Sequence, residues 1–323
     1  MNTLEKDILN YIQTDFPLVK EPFRFLAQNF NSTESEVLAT IDKLKNIDGV
    51  IRTISAIFNP VKLGYSSALI AVDILNSDLG NLVEFLNNHN GVSHNYLRDH
   101  KYNLWFTIAL PEYIDIYSEI LNISKVYNFV DFIVLPSIKT YKLKVDFKFG
   151  DNSNSVIHKS NNVHSDKVYQ ISDLDKLIIK ELQNELPLIS RPYKFLADNI
   201  FISEDELITK ALYYKDNKIM RRYCATLRHV KAGFKSNAMV VWQVNLDNID
   251  SIGNLVSETP FVSHCYQRVV SDKWYYNFYT MVHALSDDLL NQYIEQLQYI
   301  ISPEKYEVLK TLNEFKKSRV KYF

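Results

Sequence analysis

Apolar residues recur at helical spacing at the start of the chain. Leu4, Ile8, Leu9 and Ile12 fall on one face of a helix, and Pro17 ends it because proline removes a backbone donor. This pattern predicts a first amphipathic helix that packs its apolar face against further elements.

Two more helices and a strand follow the first helix. Pro22 suits the first turn of a second helix. Thr33 is a candidate N-cap with Glu36 three residues later, the spacing of a capping box, and Gly49 ends this third helix. A strand over 50–58 completes a predicted winged helix-turn-helix unit.

The next part of the chain alternates between strand and helix periodicity. The order is strand, helix, strand, strand, helix, strand, which is a ferredoxin-like βαββαβ unit. The strands are predicted at 65–74, 92–99, 103–110 and 126–135, and the helices at 79–89 and 112–122.

The whole pattern then repeats. Residues 13–27, QTDFPLVKEPFRFLA, recur 170 positions later as QNELPLISRPYKFLA. A second match at the same offset joins Ser93-His94-x-Tyr96-x-Arg98 to Ser263-His264-x-Tyr266-x-Arg268, and Gly64-Tyr65 recurs as Gly233-Phe234. Three matches in the same order indicate an internal duplication.

The duplication predicts an α+β fold of two tandem copies. Because an open four-stranded sheet must be covered, the two copies are expected to cover each other as a pseudo-dimer within one chain. The predicted parts are a first winged helix-turn-helix at 1–60, a first ferredoxin-like domain at 61–146, a polar linker at 147–170, a second winged helix-turn-helix at 171–229 and a second ferredoxin-like domain at 230–323.

Composition narrows the setting of the protein. The 323 residues are 46% hydrophobic, which predicts globular domains, and no apolar run reaches the roughly 20 residues that span a membrane. The N-terminus lacks the pattern of a signal peptide, and two cysteines are too few for a disulfide framework. We therefore expect a cytoplasmic protein without a membrane partner.

Charge argues against the DNA binding that a helix-turn-helix suggests. The formal net charge is −2, and the third helix carries Glu34, Glu36 and Asp42. Its counterpart begins with Ser203-Glu204-Asp205-Glu206. Acid at a helix start favours capping and disfavours contact with phosphates, so DNA is not an expected partner.

Longer motifs resemble one enzyme family. A winged helix-turn-helix before βαββαβ is similar to Lrp/AsnC regulators. The run HNYLRDH at 94–100, with YNLWFT at 102–107, resembles one subunit of the sirohaem decarboxylases. Arg221-Arg222, LRH at 227–229, Gly233-Phe234 and NAMVVW at 237–242 resemble the other subunit. The resemblance implies two fused subunits.

The family's activity is then the expected activity. It removes two acetate carboxyl groups of sirohaem as carbon dioxide, a carboxy-lyase reaction that serves haem d1 or alternative haem biosynthesis. The second copy departs from the first, since it has Cys265 and Gln267 within its motif and lacks the Asp-His that follows Arg98. The two histidine-centred motifs are therefore not equivalent.

Sirohaem is a flat apolar ring edged with carboxylates, so its site needs an apolar slot with cationic groups at the rim. Guanidinium forks match carboxylates with two parallel hydrogen bonds. The expected substrate-binding residues are Arg98, Arg221, Arg222, Arg228, Arg268, His100, Trp242 and Tyr96.

Decarboxylation leaves a carbon that must receive a proton, and histidine suits that task near neutral pH. The expected catalytic residues are His229, His94 and His264. His229, beside Arg228 in a turn, is either a ligand of the substrate iron or a proton donor. No nucleotide loop or metal-ligand spacing is present in the sequence, so the iron carried by sirohaem is the only expected cofactor.

Two alternatives remain open from the sequence. One is a DNA-binding Lrp/AsnC-type regulator, and the other is a haem or sirohaem sensor that binds without turnover. The sequence also leaves open the order of the two decarboxylations, the number of active sites and further homo-oligomer assembly.

Overall fold

The computed structural model describes residues 1–143, 168–228 and 236–323. Within these ranges the chain contains two copies of a helix-turn-helix unit followed by a βαββαβ unit. The fold class and the internal pseudo-dimer expected from the repeat are confirmed.

The first helix-turn-helix unit begins with a capping box, in which Asn2 and Glu5 bond each other's backbone N–H groups. Pro22 occupies the first turn of the second helix, as expected. A π-helical turn over 43–47 extends the third helix, and Gly49 adopts a φ of 65° after it. The elements are α1 (Thr3–Ile12), α2 (Pro22–Asn29), α3 (Glu34–Asp42) and β1 (Ile51–Phe58).

The predicted capping boxes of the third helices form only in part. Thr33 Oγ1 accepts a hydrogen bond from the Glu36 N–H. The Glu36 carboxylate, however, accepts a hydrogen bond from the Ser32 hydroxyl and not from a backbone N–H. Ser203 caps the third helix of the second copy through the Glu206 N–H in the same way. The hydroxyl half of each predicted box is therefore present.

The first ferredoxin-like unit follows, with several shifted boundaries, since its first helix begins three residues before the predicted start and its last strand begins at Asp131 and not at 126. Its second helix begins at Ile116 and not at 112, because the Asp115 side chain caps it by accepting from the Ser118 N–H. Its last strand runs to Leu143. The elements are β2 (Tyr65–Asp73), α4 (Asn76–Asn88), β3 (Val92–Arg98), β4 (Leu104–Pro111), α5 (Ile116–Val126) and β5 (Asp131–Leu143).

The second copy repeats this order. Ser172 and Asp175 form a capping box at its first helix. The elements are α6 (Asp173–Gln183), α7 (Pro192–Asn199), α8 (Glu204–Asp216), β6 (Met220–Leu227), β7 (Ser236–Gln243), α9 (Ile249–Glu258), β8 (Val262–Arg268), β9 (Phe278–Ala284), α10 (Asp287–Ile301) and β10 (Lys305–Lys317).

Eight of these strands close into one barrel, in the order β10-β3-β4-β2-β5-β8-β9-β7. The two last strands of the copies make the closure. β5 pairs with β2 through residues 131–136 and then with β8 of the other copy through 137–143, and β10 mirrors this with β7 and β3. Each copy thus completes the sheet of the other, which leaves no edge between the two halves.

The helix-turn-helix units are also joined. β1 pairs antiparallel with β6, so the strand after each third helix forms a two-stranded ribbon with its counterpart. Buried residues of both units form a single apolar core. Arg319, just after β10, donates to the carbonyl oxygens of Ser55 and Ala56 on this ribbon at 2.9 Å, which fixes the ribbon to the barrel strand.

A close helix–strand contact in the second copy gives a stability prediction. The Tyr141 ring packs on α9 so closely that a Cβ on Gly253 would lie 2.5 Å from it. We expect Gly253→Ala to lower the free energy of unfolding by about 1–3 kcal/mol through overpacking.

Gly80 provides the matched control, because a Cβ there meets nothing within 4 Å on α4. Gly80→Ala should raise the free energy of unfolding by about 0.5–1 kcal/mol through helix propensity. Urea unfolding of both variants checks the pair. Equal effects of the two substitutions would contradict the packing account.

Candidate functional site

The barrel interior is lined by the repeated motif that the sequence singled out. In β3, His94 pairs with Thr107 and Tyr96 with Trp105, and Trp105 belongs to the apolar cluster inside the barrel. Because side chains alternate along a strand, His94, Tyr96 and Arg98 share this inward face. His264, Tyr266 and Arg268 of β8 do the same in the second copy.

The two inward arginines are buried without a carboxylate partner. Arg98 is 4% exposed and Arg268 is 9% exposed, and among the described residues neither forms an ion pair. Arg98 donates to Leu309 O at 2.9 Å and Arg268 to Leu135 O at 2.8 Å. The Nε of each has no hydrogen-bond partner in the described part of the chain.

Each guanidinium instead lies over an aromatic ring. Arg98 Cζ is 5.2 Å from the centroid of Tyr96, and Arg268 Cζ is 5.0 Å from that of Tyr266. Burial lowers the pKa of Arg98 to about 10, with Tyr96 opposing the change. A buried cation without an opposite charge is costly, and no described residue supplies a carboxylate to either arginine.

The two inward histidines are held by serines. Ser93 Oγ lies 2.9 Å from His94 Nδ1, and Ser263 Oγ lies 2.8 Å from His264 Nδ1. This contact fixes each ring and turns its Nε2 away from the serine. Both histidines keep part of their surface accessible to solvent although the serines are buried.

Positive charge surrounds the histidines. Burial lowers the pKa of His94 to about 3, helped by the charges of His264, Lys317 and Arg52. Burial also lowers the pKa of His264 to about 4, helped by Lys317 and Lys142. Lys317 of β10 therefore acts on both histidines, and the two copies contribute to one shared site.

An apolar wall lies next to this charged region. Trp105, Tyr279 and Trp274 are buried in a cluster drawn from both copies, and Trp274 Nε1 donates to Tyr279 Oη at 2.6 Å. Arg268 Cζ is 5.5 Å from the Tyr279 ring, which places this arginine against the wall. The interior therefore combines aromatic surface with cations, as a flat polyanionic ligand requires.

The predicted arginines Arg221, Arg222 and Arg228 lie on or just after β6 of the ribbon. Burial raises the pKa of Tyr266 to about 12, and the charges of Arg268 and then Arg221 oppose this change. Arg221 also donates a hydrogen bond to Asn59 Oδ1 at 3.4 Å. Burial lowers the pKa of Arg319, and the charge of Arg222 adds to this change. Arg228 is exposed just after β6. Of the three predicted arginines of this ribbon, Arg221 is the one whose charge acts on a residue of the inward motif.

Of the predicted residues, Trp242 lies away from this interior, whereas His100 contacts its aromatic wall, with its ring centroid 5.5 Å from that of Trp274. Trp242 is fully buried on the opposite face of β7, in the core between sheet and helices, where Nε1 donates to Thr280 Oγ1. The expectation that it binds substrate conflicts with this position, because the strand alternation turns it outward. His100 follows β3 at the arginine end and lies 3.0 Å from Glu307 Oε2. His229 lies outside the described residues.

Sequence reasoning missed Lys317 and did not select Arg52 or His283 as site residues. Lys317 lies on the strand that crosses from one copy to the other, so no local motif marks it. Arg52, interpreted as an ordinary surface cation, does pair with Glu314 at 3.7 Å, yet its charge reaches His94. His283 Nε2 lies 2.8 Å from Ser263 Oγ, a contact that only the strand register reveals.

The histidines predict an acid-dependent stability. Both folded pKa values lie below the ordinary 6.5, so the unfolded chain binds more protons as the pH falls below about 6.5. Their contribution to stability is therefore complete above that pH and decreases toward about pH 4.

We expect His94→Gln and His264→Gln to lose less stability than the wild type between about pH 7 and pH 5. Urea unfolding at both pH values measures this difference. Variants whose stability falls in parallel with the wild type would contradict the burial of neutral imidazoles.

The described residues contain neither a cluster of metal ligands nor a membrane-spanning helix. No group of three or more potential metal ligands occurs among the residues that the structure describes. No helix in the described ranges is long and apolar enough to cross a membrane.

Comparison with protein families assigns both halves of each copy. The AsnC-like ligand binding domain matches residues 62–142 and 231–316. The "Siroheme decarboxylase NirDL-like HTH domain" matches residues 5–52 and 175–221.

Similar proteins cover the whole chain. A siroheme decarboxylase of Hydrogenobacter thermophilus is 38% identical over 98% of this chain and 94% of its own. The alpha and beta subunits of the siroheme decarboxylase of Oleidesulfovibrio alaskensis are 36% and 33% identical, each over 47% of this chain, and cover 92% and 97% of their own lengths.

Solved structures agree with this similarity. The crystal structure of the siroheme decarboxylase NirDL matches with a TM-score of 0.78 at 34% identity, covering 99% of this chain and 94% of that one. The same protein in co-complex with an iron-uroporphyrin III analogue matches with a TM-score of 0.76 at 34% identity, over 98% of this chain and 94% of that one.

Proposed function

The chain belongs to the sirohaem decarboxylase family, and from this premise we infer that it removes two acetate carboxyl groups of sirohaem as carbon dioxide. The product is 12,18-didecarboxysirohaem, and the reaction is that of a carboxy-lyase. The pathway served is haem d1 or alternative haem biosynthesis.

One observation carries the proposal beyond family membership. Arg98 and Arg268 are buried inside the barrel, and neither has a carboxylate partner among the described residues. Sirohaem supplies what they lack, since its carboxylates surround a flat ring that suits the aromatic wall. The arginines would hold carboxylates that are not removed, which fixes the reacting acetates relative to the histidines.

The reaction itself is redox neutral. When carbon dioxide leaves, the electron pair of the broken carbon–carbon bond stays on the acetate carbon and the ring spreads its charge. One proton then forms the new carbon–hydrogen bond, so each turnover of one acetate consumes one proton. His94 and His264, fixed by their serines, are the candidate donors in the described part of the site.

The proposal also keeps the roles expected from the sequence for His229 and for the arginines of the ribbon. His229 is a ligand of the substrate iron or a proton donor, and Arg221, Arg222 and Arg228 bind carboxylates at the ribbon. The iron of sirohaem is the only metal that the reaction uses, and no further cofactor takes part. The chain acts in the cytoplasm as an intrachain pseudo-dimer, the fused counterpart of the two-subunit relatives.

Anaerobic incubation of the purified chain with sirohaem, followed by mass spectrometry of the tetrapyrrole, tests the function. We expect the loss of two carbon dioxide units from each sirohaem. An unchanged mass, with an absorption spectrum that shows binding, would refute the enzyme and indicate a sensor.

A further inference from the structure

The second copy contains a hydrogen-bonded chain behind its inward histidine. We propose that His283 is a positioning residue that acts through Ser263 on His264, so that the second copy delivers the proton in the decarboxylation. This inference rests on the proposed function and adds an unequal division of labour between the two pseudo-equivalent motifs.

Both contacts of this hydrogen-bonded chain are short. His283 Nε2 lies 2.8 Å from Ser263 Oγ, and Ser263 Oγ lies 2.8 Å from His264 Nδ1. A longer contact of 3.3 Å joins the same hydroxyl to Met281 O. Ser263 is 4% exposed, whereas His283 keeps part of its surface in contact with solvent. The buried hydroxyl therefore links two imidazoles, each of which keeps part of its surface exposed.

The first copy lacks this arrangement. Its Ser93 contacts His94 in the same way, at 2.9 Å. Backbone pairing shows which residue replaces His283: Ala109 N donates to Gly91 O where His283 N donates to Phe261 O. Alanine has no side-chain donor, so Ser93 has no imidazole behind it at this position.

A serine hydroxyl has one proton and two acceptor lone pairs, so the Ser263 proton goes either to one of the imidazoles or to Met281 O. In the proposed arrangement His283 Nε2–H donates to Ser263 Oγ, and the hydroxyl donates to His264 Nδ1. The proton of a neutral His264 is then on Nε2, which is the nitrogen turned away from the serine. Orientation of a reacting histidine by a hydrogen-bonded partner is a general device in catalysis.

The proton balance closes along this chain. His264 gives its Nε2 proton to the carbon that carbon dioxide has left, and its Nδ1 takes the Ser263 hydroxyl proton. Ser263 takes the Nε2 proton of His283, and His283 recovers one from water. The electron pair of the broken carbon–carbon bond forms the carbon–hydrogen bond, so no oxidant or reductant is needed.

The variants His283→Ala and His283→Gln distinguish a proton relay through His283 from a hydrogen bond that is only structural. The glutamine amide can donate to Ser263 but cannot pass a proton on. We expect both variants to lower kcat for sirohaem by about ten- to a hundredfold with an unchanged KM, and added imidazole to restore His283→Ala. A glutamine variant with the wild-type kcat, or an alanine variant that imidazole does not restore, would overturn the proposal.

Ser263→Ala and Ser93→Ala form the matched pair, and they decide the question if the His283 variants do not fold. Each removes one buried hydroxyl from the same contact in one copy. Ser263→Ala should lower kcat more than Ser93→Ala, and equal losses would overturn the proposal. The wild type in the same assay distinguishes failure of this inference from failure of the proposed function. A wild type that releases no carbon dioxide would refute the proposed function itself.

Discussion

Replacement of His264 by alanine is expected to lower kcat for sirohaem decarboxylation by about 10²- to 10⁴-fold, the usual contribution of a general acid. The reason is geometric, since His264 is fixed by Ser263 at 2.8 Å inside the barrel. KM should change little, because the arginines hold the substrate.

His89→Ala is the control for this variant. His89 ends α4 on the outside of the barrel, where its Nδ1 accepts from the Gly91 N–H. It should leave kcat near the wild-type value. Steady-state assays under anaerobic conditions measure both variants. A His264→Ala enzyme that works as fast as the wild type would contradict a catalytic role for this histidine.

Replacement of Arg98 or Arg268 by methionine is expected to raise KM by about ten- to a hundredfold, the value of one charge-assisted hydrogen bond. The same substitutions should leave the unfolding temperature unchanged or raise it. Each removes a buried cation without an ion-pair partner in the described chain and keeps most of the side-chain volume.

Arg191 offers the matched contrast. It pairs with Glu204, which is 8% exposed, so Arg191→Met leaves a buried carboxylate without its partner. This variant should lower the unfolding temperature and leave KM unchanged. If Arg98→Met and Arg268→Met instead destabilise the chain with no change in KM, these arginines are structural.

The repeat and the order of elements could be predicted from the sequence because both rest on local patterns. Helical and strand periodicity, Pro22 and Gly49 act over a few residues. The closure of the barrel by β5 and β10, and the ribbon of β1 with β6, could not be predicted, because pairing between distant strands leaves no mark in a single copy.

The candidate site could likewise be predicted where it depends on local sequence, and not where it depends on contacts between distant strands. His94, Tyr96 and Arg98, with their repeats, stood out as residues two apart on one strand face. Trp242 was placed wrongly because its face depends on the register of β7 against β9. Lys317 and His283 act through contacts across strands, at positions where the two copies differ.

The central claim is that sirohaem binds inside the barrel, between the two inward motifs. A structure of the chain with sirohaem, prepared without oxygen, tests it most directly. The account predicts the ring against the aromatic wall, with carboxylates at Arg98 and Arg268 and acetates facing His94 and His264. A ring bound outside, for example in the surface groove lined by Phe85 and Tyr127, would contradict it.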